Sequence, residues 1–188
     1  MKNILIIGAG GHGRSIAEVL QFHINDFNIV GFLDDSKRPG SDVGRYKVLD
    51  RADNLSQYLN IADSIIVGIG NNEIRKAFIN DGIAAGFEFP TVIHPRAVIS
   101  PSSVIGKGTA IMANAIVGAN TILGAGVIVN SGANIDHDCI AEDFSHLGAN
   151  ACMAGGSRLG NSAWLYPGVV LSYSTTVGPG KIINTSER

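Results

Sequence analysis

From residue 93 onward, large apolar side chains return at every sixth position without an insertion. The column runs Ile93, Ile99, Ile105, Ile111, Val117, Leu123, Val129 and Ile135, continues through Ala141, Leu147, Met153, Leu159, Leu165, Leu171 and Val177, and ends at Ile183. Four residues after each comes a second column of small or short side chains, from Ala97 through Ala115, Ala133, Cys139 and Ala151 to Thr175, with Lys181 out of character. A fixed period over this length is the signature of a solenoid. Six is an even number, so both columns point the same way along extended strands and enter a narrow core. Gly and Asn fall mostly between them (Gly106, Gly118, Asn120, Gly124, Gly126, Gly148, Asn150, Gly160), where a tight corner needs φ > 0. Three such sides close a coil of eighteen residues, so the stretch predicts about five coils, stacked to a height on the order of 25 Å.

The first ninety residues follow another pattern. Residues 4–8, 28–34 and 64–70 read as buried strands, and 13–22 and 72–86 as helices. Their alternation predicts a small parallel sheet of the nucleotide-binding type. Two domains are expected, 1–90 and 91–188. Gly8-Ala9-Gly10-Gly11-His12-Gly13 lies at the first strand-to-helix turn and fits G-x-G-x-x-G, with Asp34 ending the second strand. Glycines there let a phosphate approach a helix N-terminus, and the acid can hold ribose hydroxyls. A tight turn with no ligand explains the same residues. Only about half of a six-stranded dinucleotide domain fits before Ile93, which suits one nucleoside diphosphate carrying a sugar better than NAD. Asp34 and Asp35 would repel a diphosphate, so they suit a base or ribose, or simply a turn; Asn71 and Asn72 suit a helix cap.

Composition narrows the partners. The 188 residues carry a formal charge of −2, 45% apolar content and no basic cluster, which argues against nucleic acid. The N-terminus is not patterned as a signal peptide, and no apolar run is long enough for a membrane span. Cys139 and Cys152 do not make a disulfide framework, so the cytoplasm is the expected compartment, and nothing calls for a metal.

The residues with chemistry in the solenoid are Asp136-His137-Asp138. His137 points inward if the strand is regular there and outward if it sits at a corner; the spacing leaves both open. A flanking carboxylate can hold the imidazole in one tautomer and raise its basicity, although an isolated surface histidine is usually just solvated. Cys139 falls in the small inward column and reads as core, and Cys152 has no neighbouring base. Trp164, Tyr166 and Tyr173 are exposed by phase.

Gly10-Gly11-His12-Gly13, then Phe32-Leu33-Asp34-Asp35, then Ile69-Gly70-Asn71-Asn72-Glu73-Ile74-Arg75-Lys76, then the repeats with Asp136-His137-Asp138-Cys139, resemble the sugar acetyltransferases of bacterial surface-glycan pathways. The resemblance covers residues 3 to about 170. It implies an α/β half-Rossmann domain followed by an all-β left-handed parallel β-helix. It also implies direct acetyl transfer from acetyl-CoA to the 4-amine of a UDP-linked amino-dideoxy sugar, as on the way to bacillosamine. A sister group O-acetylates sialic acid, and a GDP-linked amino sugar is a further alternative; an NAD-binding protein and a non-catalytic scaffold are the outlying ones. Carried over by position, His137 is the proton acceptor and Asp138 its acidic partner, where the family pattern has the longer Glu. Gly10, Gly11, His12, Asp34, Asp35 and Gly70 fall to the nucleotide-sugar; Asn130, His146 and Gly155 fall to acetyl-CoA. The turn Ala154-Gly155-Gly156 could supply an oxyanion donor. His146 lies nine residues, half a coil, beyond His137. The two can share a site only between subunits, in keeping with the homotrimer that the resemblance implies; an exposed solenoid side chain is the plainer reading of His146. The family pattern continues for about one more coil with a segment that helps hold CoA. After Asn184 this segment is missing, so either a covering surface or weaker CoA affinity is expected.

Overall fold

In the computed structural model, which describes residues 1–185, the chain divides into two units between Pro90 and Thr91. The first is built around β1 (Lys2–Ile7), flanked in parallel by β2 (Phe27–Leu33) and β5 (Ser64–Val67). Ile4, Leu5, Ile6 and Ile7 are all fully buried, as expected of a central strand covered on both faces. Helix α1 (Gly11–Leu20) buries Ile16, Ala17, Val19 and Leu20. Helix α2 (Asn72–Ala85) is capped by Asn71, whose Oδ1 accepts from the Ile74 N–H at 3.0 Å, and stops at the left-handed Gly86. The third expected strand ends early, at Val67, because Gly68 packs its backbone against Gly13: a Cβ on Gly68 would lie 2.5 Å from Gly13 Cα. The sequence pattern missed β3 (Asp42–Val43) and β4 (Tyr46–Asp50), which extend the sheet in the order β3-β4-β2-β1-β5. Tyr46–Asp50 has no clean alternation, and it becomes a strand by pairing Val48 with Phe32.

The second unit holds sixteen two-residue strands, from Val92–Ile93 to Ile182–Ile183, among the described residues. They stack in parallel as three sheets. Face 1 contains Val98–Ile99, Ile116–Val117, Asn134–Ile135, Cys152–Met153 and Val170–Leu171. Face 2 contains Val104–Ile105, Ile122–Leu123, Ile140–Ala141, Arg158–Leu159 and Thr176–Val177; face 3 contains the remaining six, including His146–Leu147 and Trp164–Leu165. Each strand pairs with the strand eighteen residues away. Both repeat columns point inward: Leu123, Ile135, Leu147 and Val177 are at most 4% exposed, and Thr109, Ala133, Cys139 and Ala151 are fully buried. Lys181 escapes to the surface. At every sixth residue from Gly108 to Gly180 the backbone is left-handed, including Asn114, Asn120, Asp138, Asn150 and Ser174 at φ between 54° and 58°. An L-residue there costs roughly 1–2 kcal/mol, least for Asn and Asp, whose short polar side chains suit the conformation. The corners are therefore where short polar side chains collect.

Candidate active site

Asp136-His137-Asp138 forms the corner between face 1 and face 2. The corner interrupts strand alternation, so His137 points outward with its side chain 55% exposed. The two flanking carboxylates do different things. Asp138 Oδ2 lies 2.8 Å from His137 Nδ1, whereas Asp136 Oδ2 is 4.0 Å from Nε2 and its Oδ1 accepts the His137 backbone N–H. A carboxylate can only accept, so Nδ1 carries the proton and Nε2 keeps its lone pair. The shorter Asp is sufficient here because its left-handed backbone (φ 57°) turns the carboxylate back toward the preceding ring. The Asp138 hydrogen bond, with the Asp136 charge beside it, raises the His137 pKa above the usual histidine value. In return His137, with Asn120, holds the Asp138 carboxyl below the usual range.

Gly155 sits one coil beyond His137 at the same corner and is buried. A Cβ on Gly155 would stand 2.7 Å from both Cε1 and Nε2 of His137, so only glycine leaves the ring its position. In the Ala154-Gly155-Gly156 turn, the Ala154 and Gly156 N–H groups are bonded to the carbonyls of Leu171 and His137; that of Gly155 has no acceptor among the described residues. Asn130 and His146 are elsewhere. Asn130 is at the corner leading from face 3 to face 1, its Oδ1 taken by the Ser131 N–H. His146 is on face 3, opposite the His137 corner. It is only 6% exposed and stacks on Trp164 at 4.8 Å and 7°, so the reading as an exposed side chain is corrected. Trp164 is likewise half-buried rather than exposed, tilted against Tyr166. Cys139 is fully buried, with its thiol against the Ala154 carbonyl. Burial pushes both the Cys139 and the Cys152 thiol up, which disfavours the nucleophilic thiolate.

In the first unit, the glycines of the β1–α1 turn differ in role. A Cβ on Gly13 would come within 1.9 Å of the Gly8 carbonyl oxygen, so that pair exists for close packing, whereas Gly10 and Gly11 face open space. The N–H groups of Gly11, His12 and Gly13 have no acceptor among the described residues, leaving a helix N-terminus suited to an anion. A cleft of about 200 Å³ nearby is lined by Gly8, Asp34, Asp35, Ile69, Ile74 and Phe78 among others. Asp34 is largely committed to the fold. Its Oδ1 accepts from Ser36 Oγ and the Ser36 and Lys37 amides, and its Oδ2 accepts from the Ala9 amide at 2.6 Å. Burial opposes its charge, but these bonds outweigh it and hold the carboxyl below the usual range. Asp35 keeps more freedom, with Oδ1 accepting from the Ala52 amide and Arg51 3.4 Å away.

Arg75, read in the sequence only within a motif, and Asn120, read only as a corner, both bear on the proposed sites. Arg75, 1% exposed, donates to the carbonyls of Ile69 and Gly70 and to Asn72 Oδ1. It fixes the loop carrying Gly70, and burial pushes its pKa down to about 9. Burial, helped by that guanidinium, pushes His12 down to about 4, so His12 is neutral near pH 7. No pattern in the chain marks an arginine on a helix as buried. Asn120 does carry a signal: it precedes Asp138 by one coil, and its Nδ2 donates to Asp138 Oδ1 at 3.1 Å.

The family model for the PglD N-terminal domain matches residues 3–81. UDP-N-acetylbacillosamine N-acetyltransferase of Bacillus subtilis (strain 168) is 32% identical over 100 residues, which are 52% of this chain but only 45% of that protein's length. The acetyltransferase domain of PglB from Neisseria gonorrhoeae, solved with acetyl coenzyme A, superposes with a TM-score of 0.89 and 38% identity over 96% of this chain and 87% of its own. A His-to-Ala variant of GDP-perosamine N-acetyltransferase from Caulobacter crescentus, solved with CoA and GDP-perosamine, gives a TM-score of 0.82 and 30% identity over 99% of this chain and 90% of its own. The solenoid is accordingly a left-handed parallel β-helix. With an α/β sheet ahead of that helix and relatives matched along nearly its whole length, the chain belongs to the family of sugar N-acetyltransferases.

Proposed function

We propose that this protein transfers the acetyl group of acetyl-CoA to the 4-amine of a UDP-linked amino-dideoxy sugar, with His137 as general base and Asp138 as its partner. The observation that carries this reading is the exposed His137 with Nδ1 bound to Asp138 and Nε2 left with its lone pair. The sugar amine attacks the thioester carbonyl carbon, Nε2 takes the proton released from nitrogen, and the tetrahedral intermediate collapses with loss of the CoA thiolate. The Gly155 N–H, which has no acceptor among the described residues, is the candidate donor to the oxyanion. Both thiols are held protonated by burial, in keeping with direct transfer rather than an acyl-enzyme. The β1–α1 turn at Gly10, Gly11 and His12, with Asp34, Asp35 and Gly70 beside it, is the proposed nucleotide-sugar site. Asp35 is the better candidate for contact with the base, because Asp34 already accepts four hydrogen bonds.

The complete site is proposed to form in a homotrimer, with the partner subunit's His146 and Asn130 meeting acetyl-CoA near His137. Val98 and Ile116 on face 1 and Val104 and Ile122 on face 2 line the same edge of the solenoid, one and two coils before His137, and are 42–63% exposed. Such an apolar patch suits an interface. Among the described residues no helix is long and apolar enough to cross a membrane, and the proposed compartment is the cytoplasm. A GDP-linked amino sugar is the second reading, favoured by the match of the GDP-perosamine enzyme over 99% of this chain.

Purified protein incubated with acetyl-CoA and either UDP- or GDP-linked 4-amino sugars, with product mass as readout, tests the reading. Acetylated UDP-sugar is expected, with His137→Ala reducing turnover on the order of 10²-fold or more. Near-normal turnover by His137→Ala would remove the base, and product from the GDP-sugar alone would move the assignment to that class. Mixing His137→Ala with His146→Ala subunits should restore part of the activity if sites are shared between chains.

A further inference from the structure

We infer that Asn120 is a positioning residue for the proposed base, holding the Asp138 carboxylate in the orientation that fixes the His137 imidazole. This rests on the reading of His137 as the base.

The face 1–face 2 corner repeats every eighteen residues, and three successive coils place Ser102, Asn120 and Asp138 in one column. Ser102 Oγ accepts the Asn120 backbone N–H at 3.0 Å; Asn120 Nδ2 donates to Asp138 Oδ1 at 3.1 Å; Asp138 Oδ2 accepts from His137 Nδ1 at 2.8 Å. One carboxylate oxygen therefore faces Asn120 and the other faces the imidazole. An aspartate in this position could otherwise rotate about χ2, a broad torsion with little preference of its own, and lose alignment with Nδ1. The amide removes that freedom from below. It is also a neutral donor, so it adds no charge that competes for Asp138. Among the described residues, the groups around His137 are Asp136 and Asp138 on its own corner, the neutral Gly118-Ala119-Asn120 corner on one side and Ala154-Gly155-Gly156 on the other. The chain of contacts is thus short enough to be tested link by link.

Asn120 has φ 55°, where alanine would add backbone strain and glycine would not. The variant of choice is therefore Asn120→Gly, which deletes the amide and keeps the turn. Measured on the full-length protein, the His137 imidazole titration, followed by NMR of its Cε1–H, should move down toward the ordinary histidine value of about 6.5. Turnover should fall about three- to tenfold, the range expected for one hydrogen bond, with KM for both substrates and the melting temperature little changed. In an Asp138→Asn background, Asn120→Gly should add nothing further, because its whole effect passes through Asp138. An unmoved His137 titration in Asn120→Gly, or full additivity of the two substitutions, would overturn the inference. The NMR titration needs no turnover. If it shifts as expected while His137→Ala stays active, the positioning contact stands and the assignment of the base falls alone.

Discussion

Replacing Gly155 by alanine separates the position of the imidazole from the stability of the solenoid. The new Cβ would lie 2.7 Å from Cε1 and Nε2 of His137 and 3.3 Å from Cδ2. Ordinary carbon contacts begin near 3.5 Å, so the ring has to retreat by about 0.8 Å or swing away from Asp138. The ring is exposed at its far side and can move, so the core does not have to. Gly155 is not among the residues with positive φ, and alanine at such a site narrows the unfolded ensemble, worth about 0.4–1 kcal/mol. The melting temperature of Gly155→Ala should therefore equal or slightly exceed that of the native protein. A misplacement approaching 1 Å costs on the order of 10²-fold in rate, so turnover, followed by release of the CoA thiol at saturating substrates, should fall roughly 10- to 100-fold. The His137 titration should drop at the same time, because the Asp138 bond is lost. Turnover within twofold of native would show that the ring keeps its productive position despite the added methyl group. A raised KM for acetyl-CoA with normal turnover and titration would equally show that Gly155 acts only on the thioester side.

Other outcomes follow from the same geometry. Because Asp138 raises the His137 pKa, the base form is available only above the ordinary value; the acid limb of kcat/KM should lie above about 6.5 and move to lower pH in Asp138→Asn. His12 is held neutral in the fold down to about 4, against 6.5 in the unfolded chain. The unfolded state therefore binds the extra proton, and stability present above 6.5 is lost as pH falls toward 4, by at most on the order of 3 kcal/mol. Urea midpoints between pH 7 and 4 should fall less steeply for His12→Asn than for the native protein; parallel curves would contradict the assignment. Arg75→Ala removes the buried donors to Ile69, Gly70 and Asn72. It should destabilise the first unit by about 2–4 kcal/mol and weaken nucleotide-sugar binding in calorimetric titration, whereas an unchanged denaturation midpoint would show that those carbonyls find other donors.

The sequence determined the solenoid almost completely. Two phased columns of side chains suffice to specify it, because each coil repeats the same steric problem and the answer depends only on residues six and eighteen apart. That is why Ile135, Cys139 and Leu147 are buried where the period puts them, and why Gly155, eighteen residues past His137, shares its corner. The same spacing marked His146 as lying across the prism from His137. The first unit was less legible. Tyr46–Asp50 became a strand only on meeting Phe32, and a sequence pattern carries no record of a partner distant along the chain. Tertiary structure alone decided three matters at the proposed sites. It turned His137 outward, because a left-handed corner at Asp138 breaks the alternation that would have buried it. It chose Asp138 over Asp136 by 2.8 Å against 4.0 Å, a difference of side-chain direction that two adjacent identical residues cannot encode by type. And it buried Arg75 under Ile69 and Gly70, since the solvation a charged residue gives up is repaid only by carbonyls that the fold brings to it.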